Sequence, residues 1–382
     1  MSCDRRGPRI RATIAFVVSG VVALAVAGSA AASGTLFVSA SSGNDGNPCS
    51  YTQPCRTIGH AVSVASPGST ISVAPGSYAE EIVVSERLTL LGHDAVVDAS
   101  NHDNGIVISG PGAAGTVVQG FTVENANAEG VLAVSTSALS ILDNELMHND
   151  QAEHALSPPQ CADQGPVPGD CGEALHLMGT SFSRVIGNNV HDNVGGILIT
   201  DETGPSHGNL ISKNISRDNL DDCGITLPSH NGLATSDPTK AGVYDNTVVG
   251  NLSQGNGGAG VGMFAPFPGT ASYNNRVIGN ILLDNGEAGV GIHAHAPGQN
   301  VSGNVIIGNV ISGNGVDPDA DSGRTVGVAF LNADPTTSPL VLLLSNQISN
   351  QYFGVFINGS FNIQGLFANF FGRGVIPVGH HA

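Results

Sequence analysis

The chain contains 382 residues, of which 31 are Asp or Glu and 13 are Lys or Arg, and its formal net charge is −18 at pH 7. This balance argues against nucleic acid or an anionic membrane as a partner, because phosphate recognition needs clustered Lys and Arg. It also disfavours a polyanionic glycan, unless bound cations reverse the local field.

The N-terminal segment has the features of a secretion signal. Four arginines occur within the first eleven residues, and an apolar run from Ile14 to Ala27 follows them. Three alanines at 30–32 then offer a small-residue cleavage site. The apolar run is short for a membrane span, and no later stretch is longer and uninterrupted. We therefore expect residues 1–32 to be a signal peptide, and the mature chain to be secreted, monomeric and free of a membrane span.

A repeated module occupies the chain from residue 184 onward. Each copy places two asparagines five residues apart around an apolar residue, and a strand that opens with Gly-Ile or Gly-Val follows. The asparagine pairs are Asn188/Asn193, Asn214/Asn219, Asn246/Asn251, Asn280/Asn285 and Asn309/Asn314. Self-similarity at a period of about 20 to 50 residues indicates a solenoid, and apolar alternation with a period of two indicates strands.

We expect the coils of this solenoid to stack with parallel strands about 4.8 Å apart, because one coil alone cannot bury its apolar face. The asparagines then fall at the same turn of every coil. There an Asn tolerates the left-handed conformation, and its side-chain amide bonds to the Asn above and below it.

Three motifs precede the repeats. They read Thr57-Ile-Gly-His-Ala-Val, then Thr70-Ile-Ser-Val-Ala-Pro-Gly-Ser-Tyr78, and then Leu88-Thr-Leu-Leu-Gly92. This pattern resembles the N-terminal cap of right-handed parallel β-helix proteins of the pectate-lyase-like superfamily. The resemblance implies an all-β, single-domain right-handed parallel β-helix with a short N-terminal capping helix, here Thr57 to Ala65. The superfamily includes lyases, hydrolases, epimerases and adhesins, so the resemblance specifies the fold and leaves the function open.

The expected domain plan has four parts. A signal peptide at 1–32 is followed by the N-terminal cap and first strands at 33–92. Parallel β-helix coils with groove-lining loops occupy 93–360, and a C-terminal cap or tail occupies 361–382.

Five cysteines follow the signal segment. The spacing of Cys49 and Cys55, and that of Cys161 and Cys171, suits local disulfides in an exported protein. Cys223 is left over, either as a buried small apolar residue or as a competitor for Cys161 or Cys171.

The stretch Asp221-Asp222-Cys223 resembles the Asp-Asp-Cys signature of polygalacturonase-type β-helix hydrolases. The resemblance implies a pair of carboxylates that acts as acid and base in glycoside hydrolysis. The chain departs from the family elsewhere, with Gly195 at the position of a third Asp and Gly258-Ala259-Gly260 in place of Gly-His-Gly. The alternatives are that Asp221 and Asp222 solvate a coil corner, or that they serve another kind of catalysis or metal binding.

A second set of ionisable residues lies at the ends of the Gly-Ile and Gly-Val strands. It comprises Asp201 and Glu202, His230, and His293 and His295. Insertions follow these strands at 200–209, 228–242, 265–274, 294–303 and 331–339, so we expect a loop wall on one side of the solenoid. Because successive coils lie about 5 Å apart, Asp201 or Glu202 should reach His230. Carboxylates and imidazoles in such a groove suit acid–base catalysis or a divalent metal, whereas scattered surface histidines are the alternative.

Two further groups are candidates for binding. Asp317, Asp319 and Asp321 alternate as carboxylates do in calcium loops, and a plain acidic loop is the alternative. Phe264, Phe267 and Tyr273 occupy one groove loop and could stack on sugar rings, although the chain has no tryptophan.

The sequence therefore predicts a secreted β-helix that acts on or binds a neutral or weakly charged extracellular polysaccharide. As a glycosidase-like or lyase-like enzyme it would use a set of carboxylates and imidazoles, namely Asp201, Glu202, Asp221, Asp222, His230, His293 and His295. The alternative is a non-catalytic surface or adhesive solenoid that binds a glycan or a protein partner.

Overall fold

The computed structural model describes residues 33–149 and 173–381. In this part of the chain, strands pair in parallel with the equivalent strands one coil before and one coil after. Each full coil contributes one strand to each of three faces, which we call faces 1, 2 and 3. The result is the expected all-β right-handed parallel β-helix.

Two long strands, Thr89–Asp98 and Val117–Glu124, run around a corner and belong to both face 1 and face 2. The other strands of face 1 are Thr35–Val38, Thr70–Val73, Ser140–Leu142, Arg184–Ile186, Leu210–Ser212, Thr247–Val249, Arg276–Ile278, Asn304–Ile307, Leu340–Leu344 and Asn362–Gln364. The other strands of face 2 are Gly76–Tyr78, Glu145–Met147, Asn189–His191, Ile215–Arg217, Leu252–Gln254, Ile281–Leu283, Val310–Ser312, Gln347–Ser349 and Phe370–Phe371.

Face 3 is a separate sheet. Its strands are Ile82–Val84, Ile106–Ser109, Val131–Val134, Leu175–Met178, Ile197–Thr200, Ile225–Pro228, Val261–Ala265, Val290–Ala294, Val326–Asn332, Phe353–Asn358 and Ile376–His380. A small sheet lies in the loops between face 3 and face 1 and consists of Ser206–His207, Val243–Tyr244 and Ser272–Tyr273. Short 3-10 helices occur at Pro111–Ala113 and Leu366–Ala368.

The core is the interior of the coils. On face 1, Val185, Ile211, Val248 and Val277 stack in register and are fully buried. Alternate residues of the same strands point outward, which explains the period-two pattern of the sequence.

Three ladders of buried asparagines run along the three corners of the coil, and the side-chain amide of most members donates to the side-chain oxygen of the next. The corner between faces 1 and 2 carries Asn144, Asn188, Asn214, Asn251, Asn280, Asn309, Asn346 and Asn369. The corner between faces 2 and 3 carries Asn149, Asn193, Asn219, Asn256, Asn285 and Asn314. The corner that returns to face 1 carries Asn209, Asn246, Asn275 and Asn304.

The stacking of asparagines is confirmed, but two details of the prediction are wrong. Asn246 belongs to the third ladder, so the equivalent of the pair Asn188/Asn193 in that coil is Asn251/Asn256. The left-handed residue is the one before the ladder asparagine at every ladder position except Asn369, for example Gly187 with φ 73°. The preceding residue makes the corner because the Asn side chain must point into the ladder.

The N-terminal cap contains the expected helix, which spans Ile58–Val64. The Thr57 hydroxyl accepts a hydrogen bond from the His60 amide at 3.2 Å, as an N-cap residue does. The Glu80 carboxylate accepts from the first two helical amides, at 2.8 Å each. These bonds satisfy donors that the start of a helix leaves unpaired.

The expected disulfide between Cys49 and Cys55 is confirmed, and Cys223 is a buried free thiol. Cys161, Cys171 and the expected signal peptide at 1–32 lie outside the described residues. Within residues 33–149 and 173–381, no helix is long and apolar enough to cross a bilayer.

Candidate active site

In its middle coils, face 3 differs from the other faces because both sides of its strands are buried. Every residue is buried in Leu175–Met178, in Ile197–Thr200 and in Val290–Ala294. By contrast, the face 1 strand Arg184–Ile186 buries only its central residue. In these coils the outward side of face 3 is therefore a desolvated surface, and most of the candidate residues lie on it or at its edge.

A chain of hydrogen-bonded side chains crosses this surface, and we call it the buried network. Nδ1 of His176 lies 2.8 Å from a Glu129 oxygen, and its Nε2 lies 2.7 Å from the Thr200 hydroxyl. The Thr200 hydroxyl also bonds to Glu202, whose second oxygen lies 2.6 Å from Nδ1 of His230. The predicted contact between Glu202 and His230 is thus present.

Neighbouring opposite charges in the buried network stabilise each other's charged forms. Burial lowers the pKa of His176, but the Glu129 carboxylate outweighs it and the net pKa is raised. Burial raises the pKa of Glu202, but the hydrogen bond and charge of His230 outweigh it and the net pKa is lowered. Both pKa shifts favour the charged forms of His176 and Glu202. The buried network therefore consists of paired charges that are shielded from solvent.

Asp201 has a different environment from Glu202, its neighbour in the sequence. It is fully buried, and it accepts hydrogen bonds from the Ser229 hydroxyl at 2.8 Å and from the amides of His230, Asn231 and Gly242 at 2.6, 3.0 and 2.6 Å. Burial raises its pKa despite these bonds. This geometry anchors both ends of the loop at 229–242, which is a positioning role.

A second group, the histidine–carboxylate cluster, consists of Glu287, His293, His295, Asp317 and Asp319. Nε2 of His293 lies 3.1 Å from buried Asp317. Nδ1 of His293 lies 3.8 Å from an Asp319 oxygen, and Nε2 of His295 lies 3.6 Å from the same oxygen. The Asp319 side chain is 58 % exposed and that of His295 is 29 % exposed, so the cluster opens to solvent.

The charges of the cluster are strongly coupled. Burial, with the Asp317 and Asp319 carboxylates, raises the pKa of Glu287 to about 7. Burial lowers the pKa of His293, but the two aspartates outweigh it and raise it to about 9. The interaction with His293 lowers the pKa of Asp319, while burial and the His293 charge lower that of His295. Such perturbed groups in close contact are typical of functional sites.

Phe264 separates the two groups. It pairs in register with Pro228 on one side and with His293 on the other, and its ring stacks on the His293 ring with centroids 4.8 Å apart. Any side chain at Gly262 would collide with that ring. The glycine therefore lets the ring lie flat on the sheet, where it restrains His293.

The other two predicted sugar-stacking residues lie apart from Phe264. Phe267 faces the His230 ring at 6.4 Å. Tyr273 belongs to the small sheet, where its ring stacks on Tyr244 at 5.0 Å and Tyr244 stacks on His207 at 4.9 Å. The face of Tyr273 that contacts Tyr244 is not available to a sugar.

Asp221 and Asp222 lie in the turn that precedes face 3. Their amides both bond to the Val194 carbonyl, and an Asp222 oxygen accepts from the Cys223 amide at 2.5 Å. Asp221 is exposed, whereas Asp222 lies near enough to Glu287 to contribute to its raised pKa. The catalytic role of the pair stays a prediction.

The three aspartates of the expected calcium loop are directed to different partners. Asp317 bonds to His293, Asp319 faces His293 and His295, and Asp321 lies 2.8 Å from His381. Two of the three aspartates, Asp317 and Asp319, thus belong to the histidine–carboxylate cluster.

Three ionisable residues of these groups were missed in the sequence. Glu129 and Glu287 both lie in the turn just before a strand of face 3, ahead of Gly130-Val131 and Gly289-Val290. His176 is the outward residue between Leu175 and Leu177. An alignment of the turn before each Gly-Val strand could have found the two glutamates.

Comparison with known proteins supports the fold. Residues 41–96, which include the capping helix, match the family described as "Protein of unknown function (DUF1565)". No match was found among curated protein sequences.

Two solved structures share most of this architecture. The Azotobacter vinelandii mannuronan C-5 epimerase AlgE4 A-module aligns with a TM-score of 0.54 and 14% identity, over 82% of this chain and 89% of its own. The GH136 lacto-N-biosidase from Eubacterium ramulus aligns with a TM-score of 0.52 and 10% identity, over 90% of this chain and 68% of its own. The expected right-handed parallel β-helix fold is confirmed.

Proposed function

We propose that the protein is an enzyme that cleaves a neutral or weakly charged extracellular polysaccharide, and that the histidine–carboxylate cluster is its active site. One observation carries the proposal. Buried Asp317 orients His293, and beside that ring His295 and Asp319 are open to solvent. An imidazole oriented by a carboxylate beside a second, accessible carboxylate is an arrangement suited to acid–base catalysis.

The chemistry follows from these groups. Cleavage of a glycosidic bond needs a proton donor for the leaving oxygen and a carboxylate that activates water or attacks the sugar. His295, whose side chain is open to solvent, would supply the proton, and Asp319 would be the carboxylate. The net charge of −18 favours a neutral substrate over a uronate polymer. The two solved structures described above are named as a mannuronan epimerase and a lacto-N-biosidase, which supports a carbohydrate substrate without indicating its charge.

The test is a screen of the mature protein over neutral and uronate polysaccharides, with new reducing ends and unsaturated products as readouts. We expect His295→Gln and Asp319→Asn to lower the rate by about 100-fold or more, in the range of one lost acid–base group. Asp321→Asn is the matched control, because Asp321 lies on the same loop but faces His381. Activity that survives both cluster changes would place catalysis elsewhere. Retention of a glycan without product would favour the non-catalytic alternative.

A further inference from the structure

We propose that the histidine–carboxylate cluster binds one first-row divalent metal ion such as Zn²⁺, with Nδ1 of His293, Nε2 of His295 and a carboxylate oxygen of Asp319 as ligands. The three ligand atoms lie within 4.8 Å of one another. The inference uses residues of the proposed active site and concerns the metal-loaded cluster, in which His295 is a ligand and not a proton donor. It therefore does not depend on the acid–base role proposed above.

The spacing of the atoms fits a shared ion better than direct pairing. The two nitrogens lie 3.8 and 3.6 Å from the Asp319 oxygen. A charge-assisted hydrogen bond would bring such atoms to about 2.8 Å. Two ligands of one tetrahedral Zn²⁺, each about 2.1 Å from the ion, lie about 3.4 Å apart. The observed nitrogen–oxygen distances are therefore close to the distance between two ligands of one metal ion.

The buried state of His293 is an independent observation that points to a ligand. The residue is 1% exposed, and its Nδ1 makes no hydrogen bond within the described residues. A buried polar atom without a hydrogen bond is costly, and a bound cation on that side would satisfy it. The atom faces the open side of the cluster, where Asp319 and His295 lie.

The surroundings of His293 prepare Nδ1 to bind an ion. Asp317, itself 1% exposed, accepts the hydrogen of Nε2 at 3.1 Å, so Nδ1 is the nitrogen that would give up its proton to an incoming ion. A carboxylate behind a histidine ligand is the usual outer shell of zinc sites. Phe264 stacks on the same ring and limits its rotation.

The ligand set also indicates the class of metal. Two imidazoles and one carboxylate suit Zn²⁺ and its neighbours in the first transition row, whereas calcium takes six to eight oxygens. Three protein ligands leave a fourth position for water or a sugar hydroxyl, and the exposed side of Asp319 opens that position to solvent. The other cluster of possible ligand atoms in the described chain includes Cys49 and Cys55, whose sulfurs are joined in a disulfide.

The experiment is a titration of the untagged mature protein, stripped with a chelator, with Zn²⁺ in a calorimeter and with Co²⁺ in a visible spectrometer. We expect one saturable Zn²⁺ site and the intense absorption of low-symmetry Co²⁺. His295→Ala and Asp319→Ala should each weaken binding by at least about 10-fold, and Asp317→Asn by about 10- to 100-fold. Asp321→Ala should bind as the wild type does.

Several outcomes would overturn the inference. The first is that Zn²⁺ shows no saturable binding. The second is that His295→Ala and Asp319→Ala bind Zn²⁺ as tightly as the wild type does. The third is that His381→Gln, and not these two variants, loses Zn²⁺ binding. Circular dichroism of each variant separates a lost ligand from a lost fold. A protein that binds Zn²⁺ but cleaves no glycan would contradict only the proposed function. A protein that cleaves a glycan, ignores the chelator and binds no Zn²⁺ would contradict only the metal site.

Discussion

Replacing Asn188 by alanine should test what holds the coils together. The Asn188 side chain accepts from the amide and the side chain of Asn144, at 3.0 Å each. It donates to Asn214 at 2.9 Å and to the Ile141 carbonyl at 3.0 Å. Each buried hydrogen bond is worth about 1 kcal/mol, so the four lost bonds together amount to roughly 4 kcal/mol. Asn188→Ala should therefore lower the free energy of unfolding by about 3–5 kcal/mol.

The adjacent residue provides a matched control for that experiment. Asn189 is half-buried, and its side chain makes only a long bond of 3.4 Å to Glu145 among the described residues. Asn189→Ala should change the stability by less than about 0.5 kcal/mol. Urea unfolding followed by circular dichroism measures both, with midpoints and slopes compared because solenoids can depart from two-state behaviour. Equal midpoints for the two variants would refute the ladder argument.

Three further predictions concern other buried groups. The pKa of His176 is raised above 6.5, so its charged form stabilises the fold below about pH 6.5. This contribution is lost as the pH rises through the pKa that His176 has in the folded protein. The stability difference between wild type and His176→Gln, measured by urea unfolding, should shrink at high pH, and a constant difference would contradict the pairing with Glu129. Burial raises the pKa of the Cys223 thiol well above its usual range, so a thiol reagent at pH 8 should label it only in denaturant. Labelling of the native protein as fast as in denaturant would show that the thiol is accessible. The two carboxylate oxygens of Asp201 accept four hydrogen bonds, and Asp201→Asn replaces one of these oxygens. Amide hydrogen exchange at residues 229–242 should therefore become faster. Unchanged exchange would count against the anchoring role.

The parts of the structure that repeat could be predicted from the sequence. Strand register follows from the Gly-Ile and Gly-Val motifs, because Ile225, Val261 and Val290 must stack for the apolar interior to be continuous. The contact between Glu202 and His230 follows from the same stacking. The misplacement of Asn246 shows the limit of this reasoning, since asparagines at different corners look alike in the sequence.

The parts that do not repeat could not be predicted in this way. Asp317 and Asp319 reach His293 because the loop at 315–325 packs back on face 3. In that loop Ala320 packs against Ala329 and Phe356. This packing depends on non-periodic contacts that neither spacing nor alternation reports. The sequence therefore predicted only some of the contacts in the cluster around His293.

The ionisable groups on face 3 are different residues from those that hold successive coils together. On the outward side of face 3, His176 occupies the same column as Leu198, Thr226 and Gly262, none of which carries a charge. Buried charge pairs contribute little net stability compared with apolar residues of similar size, so their presence here needs a reason other than folding. The corner ladders supply the coil-to-coil hydrogen bonds without them. Changes at His295 or Asp319 should consequently leave the solenoid folded, and a loss of metal binding or of cleavage can then be assigned to the site itself.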